Sequence, residues 1–411
     1  MPNLDDPKQA VAALRDPAVI RARAHQLLAL GLQGDLTHFA VHLDAMPAAA
    51  RYVADVIREN YPDLKVPYHA RWRHFAAGGV DRWGALQATL SDLDPAEIAR
   101  IRIDLCVVSV LLDAGAGPDW RFHEAETGQS IARSEGLAVS SLFGFKAGRF
   151  SSDPTLPLRA DAAGLAAVSA KDLAEMFQVA ETNPLVGLEG RAALLRNAGA
   201  ALSARPDLFP GARVGGLYDC LMAQRQDGAL PAKAILAALL EGLGPIWPER
   251  LSLGGLALGD VWRHPAIVAP DLTNGLVPFH KLSQWMAYSL VEIFEDAGVS
   301  VSGLDEMTGL PEYRNGGLFL DLGVLRLKDP ALATQGLAVD GLPVVEWRAL
   351  TVALLDRLAD PVRALLGKTA AEMPLACILE GGSWAAGRKI ARALRADGGP
   401  PLRVISDGTV F

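Results

Sequence analysis

Residues 277–294 read V-P-F-H-K-L-S-Q-W-M-A-Y-S-L-V-E-I-F, and this stretch decides the fold class. Phe279, Leu282, Met286, Leu290 and Ile293 recur every three or four residues, which is the stripe of an amphipathic helix with one face in a core. Lys281, Gln284 and Tyr288 fall at the same spacing and line a second face of that helix. Residues 307–327 follow as M-T-G-L-P-E-Y-R-N-G-G-L-F-L-D-L-G-V-L-R-L. There Pro311 fixes the backbone before Glu312, Tyr313 and Arg314, and a Gly-Gly pair comes next. A lysine on a packed helix and an acid at the head of the next one can form a single polar site.

Away from this pair, helical patterns cover residues 7–32, 47–59, 95–113, 170–180, 184–204, 217–223, 231–243, 345–366 and 383–396. Residues 36–43 alternate as a short strand would, 244–275 are Gly-rich and irregular, and the tail from 401 looks strand-like. The predicted class is mainly α with a few short strands. No repeat or low-complexity linker marks a boundary, so one large helical unit over 1–411 is expected. A subdivision into 1–160 and 161–411 is the only alternative considered.

The 411 residues are half apolar and 21% charged, with a net charge of −8. That is a globular composition without the basic stripe of a nucleic-acid binder. The three cysteines, Cys106, Cys220 and Cys377, lie far apart among apolar neighbours, as free thiols in a reducing compartment do. The N-terminus lacks the pattern of a signal peptide, and no apolar run is long enough to span a bilayer. A cytoplasmic protein is expected, with no nucleic acid, membrane, metal or cofactor among its partners.

Five groups of residues could carry chemistry. Lys281, Gln284 and Glu312 form the first. The bland alternative is two surface side chains and an acid serving the helix dipole, but the aromatic neighbours of Lys281 and the rigid Pro311 argue for a buried site. A buried carboxylate beside a lysine can stabilise a cationic transition state, such as the oxocarbenium ion formed when an N-glycosidic bond breaks. In the second group, His69, Arg71, Arg73 and His74, alternate residues of an extended segment share a face and could converge on a phosphate. Salt bridges with the surplus acids explain this cluster equally well.

The third group lies around Asp113, Trp120, Glu124 and Arg133-Ser134-Glu135-Gly136. There an aromatic could stack on a planar group and Glu135 could bond it, although packing is the stronger reading for the aromatics. In the fourth, Gly381-Gly382-Ser383 before Arg388 reads as a helix start, either an anion site or a plain N-cap. Glu346 and Arg348 form the fifth and could support the first group. No Walker loop, dinucleotide fingerprint or metal-binding motif is present; L-D-A-G-A-G (112–117) is better read as a helix end turned by glycines.

Several segments resemble the uracil-catabolism protein family of fungi and bacteria, the fourth component of that pathway. They are V-P-Y-H-A-R-W-R-H-F, L-L-D-A-G-A-G with a following Trp, R-S-E-G-L-A, V-P-F-H-K-L-S-Q-W, G-L-P-E-Y-R-N-G-G-L-F-L-D-L-G-V-L and the terminal S-D-G-T-V-F. The resemblance spans essentially the whole chain. It implies a place in a pathway that opens the pyrimidine ring on ribose phosphate, yielding a ribosylurea from which urea is released.

A more distant likeness is to the enzymes that hydrolyse queuosine 5′-phosphate, which are built like helical DNA glycosylases. Lys281 and Gln284 stand at the lysine and glutamine of their K-R-A-Q helix. Thr308, Glu312, Tyr313 and Arg314 match T-x-F-x-D-Y-R, with Gly323-Val324-Leu325 after it, and Glu346 and Arg348 match E-I-R-A. Glu312 replaces an aspartate, and Asn315-Gly316-Gly317 replaces V-P-Q in what would be a loop near the base, so a different substrate is implied.

The resemblance implies an N-ribosyl hydrolase acting on ribosylurea or its 5-phosphate, with Glu312 and Lys281 catalytic. Gln284, Tyr313, Arg314, His280, Glu346, Arg348, Glu135, Trp120 and Asp113 would surround the substrate, and His69, Arg71, Arg73 and His74 would hold the phosphate. Two alternatives stay open: a ureide or amide hydrolase of the same pathway, and a non-catalytic partner of the ring-opening enzyme, which implies association with other enzymes of uracil breakdown.

Overall fold

A computed structural model describes residues 3–113, 115–247 and 250–405. The chain is 56% helical, well above the third or so typical of globular proteins. Its strands are short and pair only two by two among the described residues. The mainly α reading therefore holds. Compactness divides the chain into two units that interleave in sequence: Met1–His69, Glu249–Gln284 and Gly303–Phe411 form one, and Ala70–Pro248 with Trp285–Ser302 the other. Residue 160, where the sequence offered a boundary, lies inside the second unit.

The first unit is built on the helix Leu342–Leu366, which packs against Pro17–Gln33, Met46–Asn60 and Tyr313–Asp321. Most of its side chains from Val344 to Leu358 are buried, Glu346 and Arg348 among them, so it is enclosed nearly all round. The helix expected over 7–32 is two helices. Arg15 closes the first and Asp16 caps the second, with Pro17 at its first position, where a missing N–H costs nothing. An antiparallel pair joins Phe39–Val41 to Leu325–Leu327, and another joins Val261–Arg263 to Leu276–Pro278. Gly336–Ala338 and Arg403–Ile405 pair in parallel. The rest of the strand-like tail, including the S-D-G-T-V-F motif, lies outside the described residues.

In the second unit the helix Pro95–Leu111 is buried from Ile101 to Leu111 and packs against Arg133–Lys146 and Leu217–Met222. A hairpin, Arg121–Glu124 with Gln129–Ala132, leads into the helix Arg133–Lys146. Neither was read from the sequence. Among the described residues no helix is long and apolar enough to cross a membrane.

Candidate active site

Glu312 occupies the N-cap of the helix Tyr313–Asp321 with extended backbone angles, as Pro311 before it favours. Its two carboxylate oxygens accept the main-chain N–H groups of Arg314 at 2.7 Å and Asn315 at 2.6 Å. Only 7% of the residue is exposed. Burial pushes its pKa up, whereas the two N–H groups and the charges of Lys281 and His69 pull it down; the outcome is a carboxyl that titrates above the ordinary glutamate range. A buried carboxyl shifted in this way is of the kind found where a group handles protons or a developing cation.

The three residues after Arg314 correct the sequence reading. Asn315-Gly316-Gly317 is not a loop near the substrate but the buried first turns of this helix. A Cβ at Gly316 would meet the Trp347 ring at 2.7 Å, so the glycine lets the two helices approach. Arg314 points its guanidinium at the carbonyl of Gly398, 2.8 Å away, and lies over the Tyr313 ring.

Lys281 opens its helix, which runs Lys281–Asp296, instead of lying within it. The preceding His280 has φ +48, a left-handed backbone that separates the strand Leu276–Pro278 from the helix. The main-chain N–H of Lys281 donates to Asp260 Oδ2 at 3.0 Å. Arg348 grips the same carboxylate with two bonds of 2.7 and 2.8 Å, and Trp262 donates to it at 2.6 Å. Burial pushes Asp260 up, but the Arg348 charge and these bonds outweigh it and hold the carboxyl well below the usual range. Asp260, which sequence reasoning missed, thus fixes both the start of the Lys281 helix and Arg348. Nothing local in G-D-V-W signals that role, because its partners are distant in sequence.

Gln284 is fully buried, and its amide exchanges bonds with Thr308 and donates to the Phe279 carbonyl. Glu346 accepts the N–H groups of Thr37 and His38 and faces His264 at 3.4 Å. Gln284, Glu346 and Arg348, expected around the substrate, each bond other groups of the same unit. His280 donates from Nε2 to the Leu14 carbonyl at 3.1 Å. Burial drops its pKa to about 4, so the ring is neutral at pH 7.

The basic cluster is divided among separate carboxylates. His69 Nδ1 lies 2.6 Å from Glu380 in the first unit. In the second, Arg71 pairs with Asp113 at 3.0 Å and Arg73 with Glu292 at 2.7 Å. Convergence of all three on one anion is therefore not what the side chains do; the salt-bridge alternative describes them. Arg71 is wholly buried and also donates to Ser109, Ser134 and His74 Nδ1.

Ser134, His74 and Asp113 gather the residue types of a hydrolytic triad, but not its order. Asp113 accepts the Ser134 hydroxyl directly at 2.7 Å, and Arg71 donates to His74 Nδ1 at 3.1 Å. In a triad the imidazole stands between the other two. Trp120 is buried, donates to the Phe177 carbonyl and meets the Phe177 ring edge-on, a packing role. Glu135 is half-buried in the first turn of the helix Arg133–Lys146.

Gly381-Gly382-Ser383 does not start a helix. It lies inside a continuous helical run, in a widened π segment Ile378–Trp384 between Leu375–Cys377 and Ala385–Leu394. The N–H groups expected to meet an anion are interior to that run, which removes the physical basis of an N-terminal site. Among the described residues no three His, Cys, Asp or Glu side chains group as a metal site.

A family model described as "Protein of unknown function (DUF1688)" matches residues 13–411. "Protein urg3" of Schizosaccharomyces pombe is 39% identical over 411 residues, 98% of this chain and 99% of that protein. "Uracil catabolism protein 4" of Lachancea kluyveri is 38% identical over 413 residues, covering 92% and 93%.

Proposed function

From the premise that the chain belongs to the family of unknown function DUF1688, we propose that it is an N-ribosyl hydrolase of uracil breakdown, cleaving ribosylurea or its 5-phosphate to urea and sugar. The relative named for uracil catabolism supports the pathway. The observation that carries the reaction is Glu312, a buried carboxyl held by two main-chain N–H groups and acted on by the Lys281 and His69 charges. Breaking the C1′–N bond leaves positive charge on the sugar ring, which a fixed carboxylate in a poorly solvated site stabilises. Glu312 performs that role and orients the attacking water. Lys281, set at the head of its helix by Asp260, positions Glu312 or the leaving group, and Tyr313 holds the sugar.

Purified protein incubated with synthetic ribosylurea and its 5-phosphate tests the reading, with urea and reducing sugar followed together. Equal release of both, lost in Glu312→Gln, supports it. Urea or ammonia without reducing sugar points to the amide hydrolase, and no product from either substrate leaves the partner protein.

A further inference from the structure

His69 and Glu380 are not explained by the roles given above. His69 lies in an extended segment and is anchored by its main-chain N–H to the Ala376 carbonyl at 3.0 Å. That carbonyl lies just before the π segment Ile378–Trp384. From within the segment Glu380 takes His69 Nδ1 at 2.6 Å, and the Trp384 ring lies 5.7 Å from the imidazole. Both side chains of this pair are almost buried, at 7% and 12% exposure. A widened turn costs regular helix hydrogen bonds and recurs where a helix serves a site.

The same segment is tied to Glu312. Ser383 donates to Asn315 Oδ1 at 2.7 Å, and Asn315 donates its own main-chain N–H to Glu312. His69 is also one of the two side chains that act electrostatically to lower the Glu312 pKa. Hydrogen bonds therefore join Glu312 through Asn315 to Ser383, and the π segment that carries Ser383 also carries Glu380, the partner of His69, all in one unit. With Nδ1–H given to Glu380, protonation of the ring places a second N–H at Nε2. This is the arrangement by which a carboxylate orients an imidazole to carry a proton from its other nitrogen.

We propose that His69, oriented by Glu380, is the general acid that protonates the leaving urea nitrogen, opposite in role to Glu312. The inference rests on the ribosyl-hydrolase reading. As the C1′–N bond breaks, its electron pair stays on nitrogen and takes the proton from His69 Nε2. Water adds to C1′ and its proton passes to Glu312, so ribosylurea and water give ribose and urea. Solvent returns the proton from Glu312 to His69 between turnovers. Glu380 is a positioning residue.

The test compares His69→Gln, Glu380→Gln and Glu312→Gln on ribosylurea and on 4-nitrophenyl riboside, whose leaving group departs as a stable anion. General acid catalysis is worth about 10²–10⁴-fold. His69→Gln should lose about that much on ribosylurea while the nitrophenyl substrate changes less than about tenfold. Glu312→Gln should lose both, and Glu380→Gln should fall about tenfold on ribosylurea, in the range of an orienting partner. Added imidazole should restore part of the ribosylurea turnover of a His69→Ala protein, which a structural defect would not allow. Equal loss on both leaving groups, wild-type turnover in His69→Gln, or no rescue by imidazole would overturn the assignment of the acid. Failure of the wild-type protein to cleave ribosylurea would instead remove the reading beneath it.

Discussion

Around Arg71 and around Glu312 the chain buries charge in two different ways. In the second unit three arginines meet acids directly: Arg71 with Asp113, Arg73 with Glu292, and Arg82 with Glu124 through two bonds. Such pairs are internally settled, and their main consequence is structural, since removing one member strands the other. In the first unit Glu312 is met by main-chain N–H groups, and the cations act on it through their field. Its pKa is raised because burial outweighs those N–H groups and side-chain charges. Residue type alone does not separate the two regions, because both contain His, Arg and carboxylates; the manner of compensation does.

The sharpest break of this contrast is Glu312→Gln. Turnover of ribosylurea should fall about 10³-fold, the scale of losing one electrostatic contact to a transition state. Stability at neutral pH should stay within about 1 kcal/mol, because an amide still accepts one of the two N–H bonds. A carboxyl whose folded pKa is raised stabilises the fold below its ordinary value and loses that contribution as pH rises through the raised one. Denaturant unfolding across acid to neutral pH should therefore show a decline in the wild-type protein that the variant lacks.

Arg71→Met sharpens the other side. It should cost about 3–5 kcal/mol in urea unfolding by leaving Asp113 buried and unpaired, and Arg71→Met/Asp113→Leu should recover most of that loss.

His280 tests the pH argument with the opposite sign. Its folded pKa of about 4 lies below the ordinary 6.5, so stability present above 6.5 is lost as pH falls toward 4. The size is on the order of 3 kcal/mol. His280→Asn, which tolerates the left-handed backbone, should flatten that slope in thermal melts at pH 4 to 7. The smallest effect is expected of Ser383→Ala: about 1 kcal/mol in unfolding, from one buried hydrogen bond.

Local chemistry was legible in the sequence and distant partnership was not. Pro311-Glu312 before an apolar run announced a helix head, and the structure places Glu312 at the N-cap. The apolar stripe of residues 277–294 announced the second helix. The helix itself starts at Lys281, whose N–H is held by Asp260, 21 residues upstream and outside any local pattern. The hairpin at 121–132 has a local signal in E-T-G-Q, a turn between alternating residues. The pairing of His69 with Glu380 spans 311 residues, and no spacing rule reaches that far. Polar residues in the 66–82 segment looked like one basic face, yet the segment is divided between two units whose partners differ.

The widened turn at Ile378–Trp384 has a consequence for how this region is encoded. Each residue of a regular helix advances the direction of a side chain by about 100°. Deleting Gly381 or Gly382 would leave a sound helix, but it would rotate Glu380 relative to Ser383 and everything that follows. The alignment that gives His69 its carboxylate and Asn315 its hydroxyl is thus a matter of phase, stored in the number of residues between two points. Point substitutions remove the participants one at a time, whereas a single-residue deletion leaves every participant in place and puts them out of step.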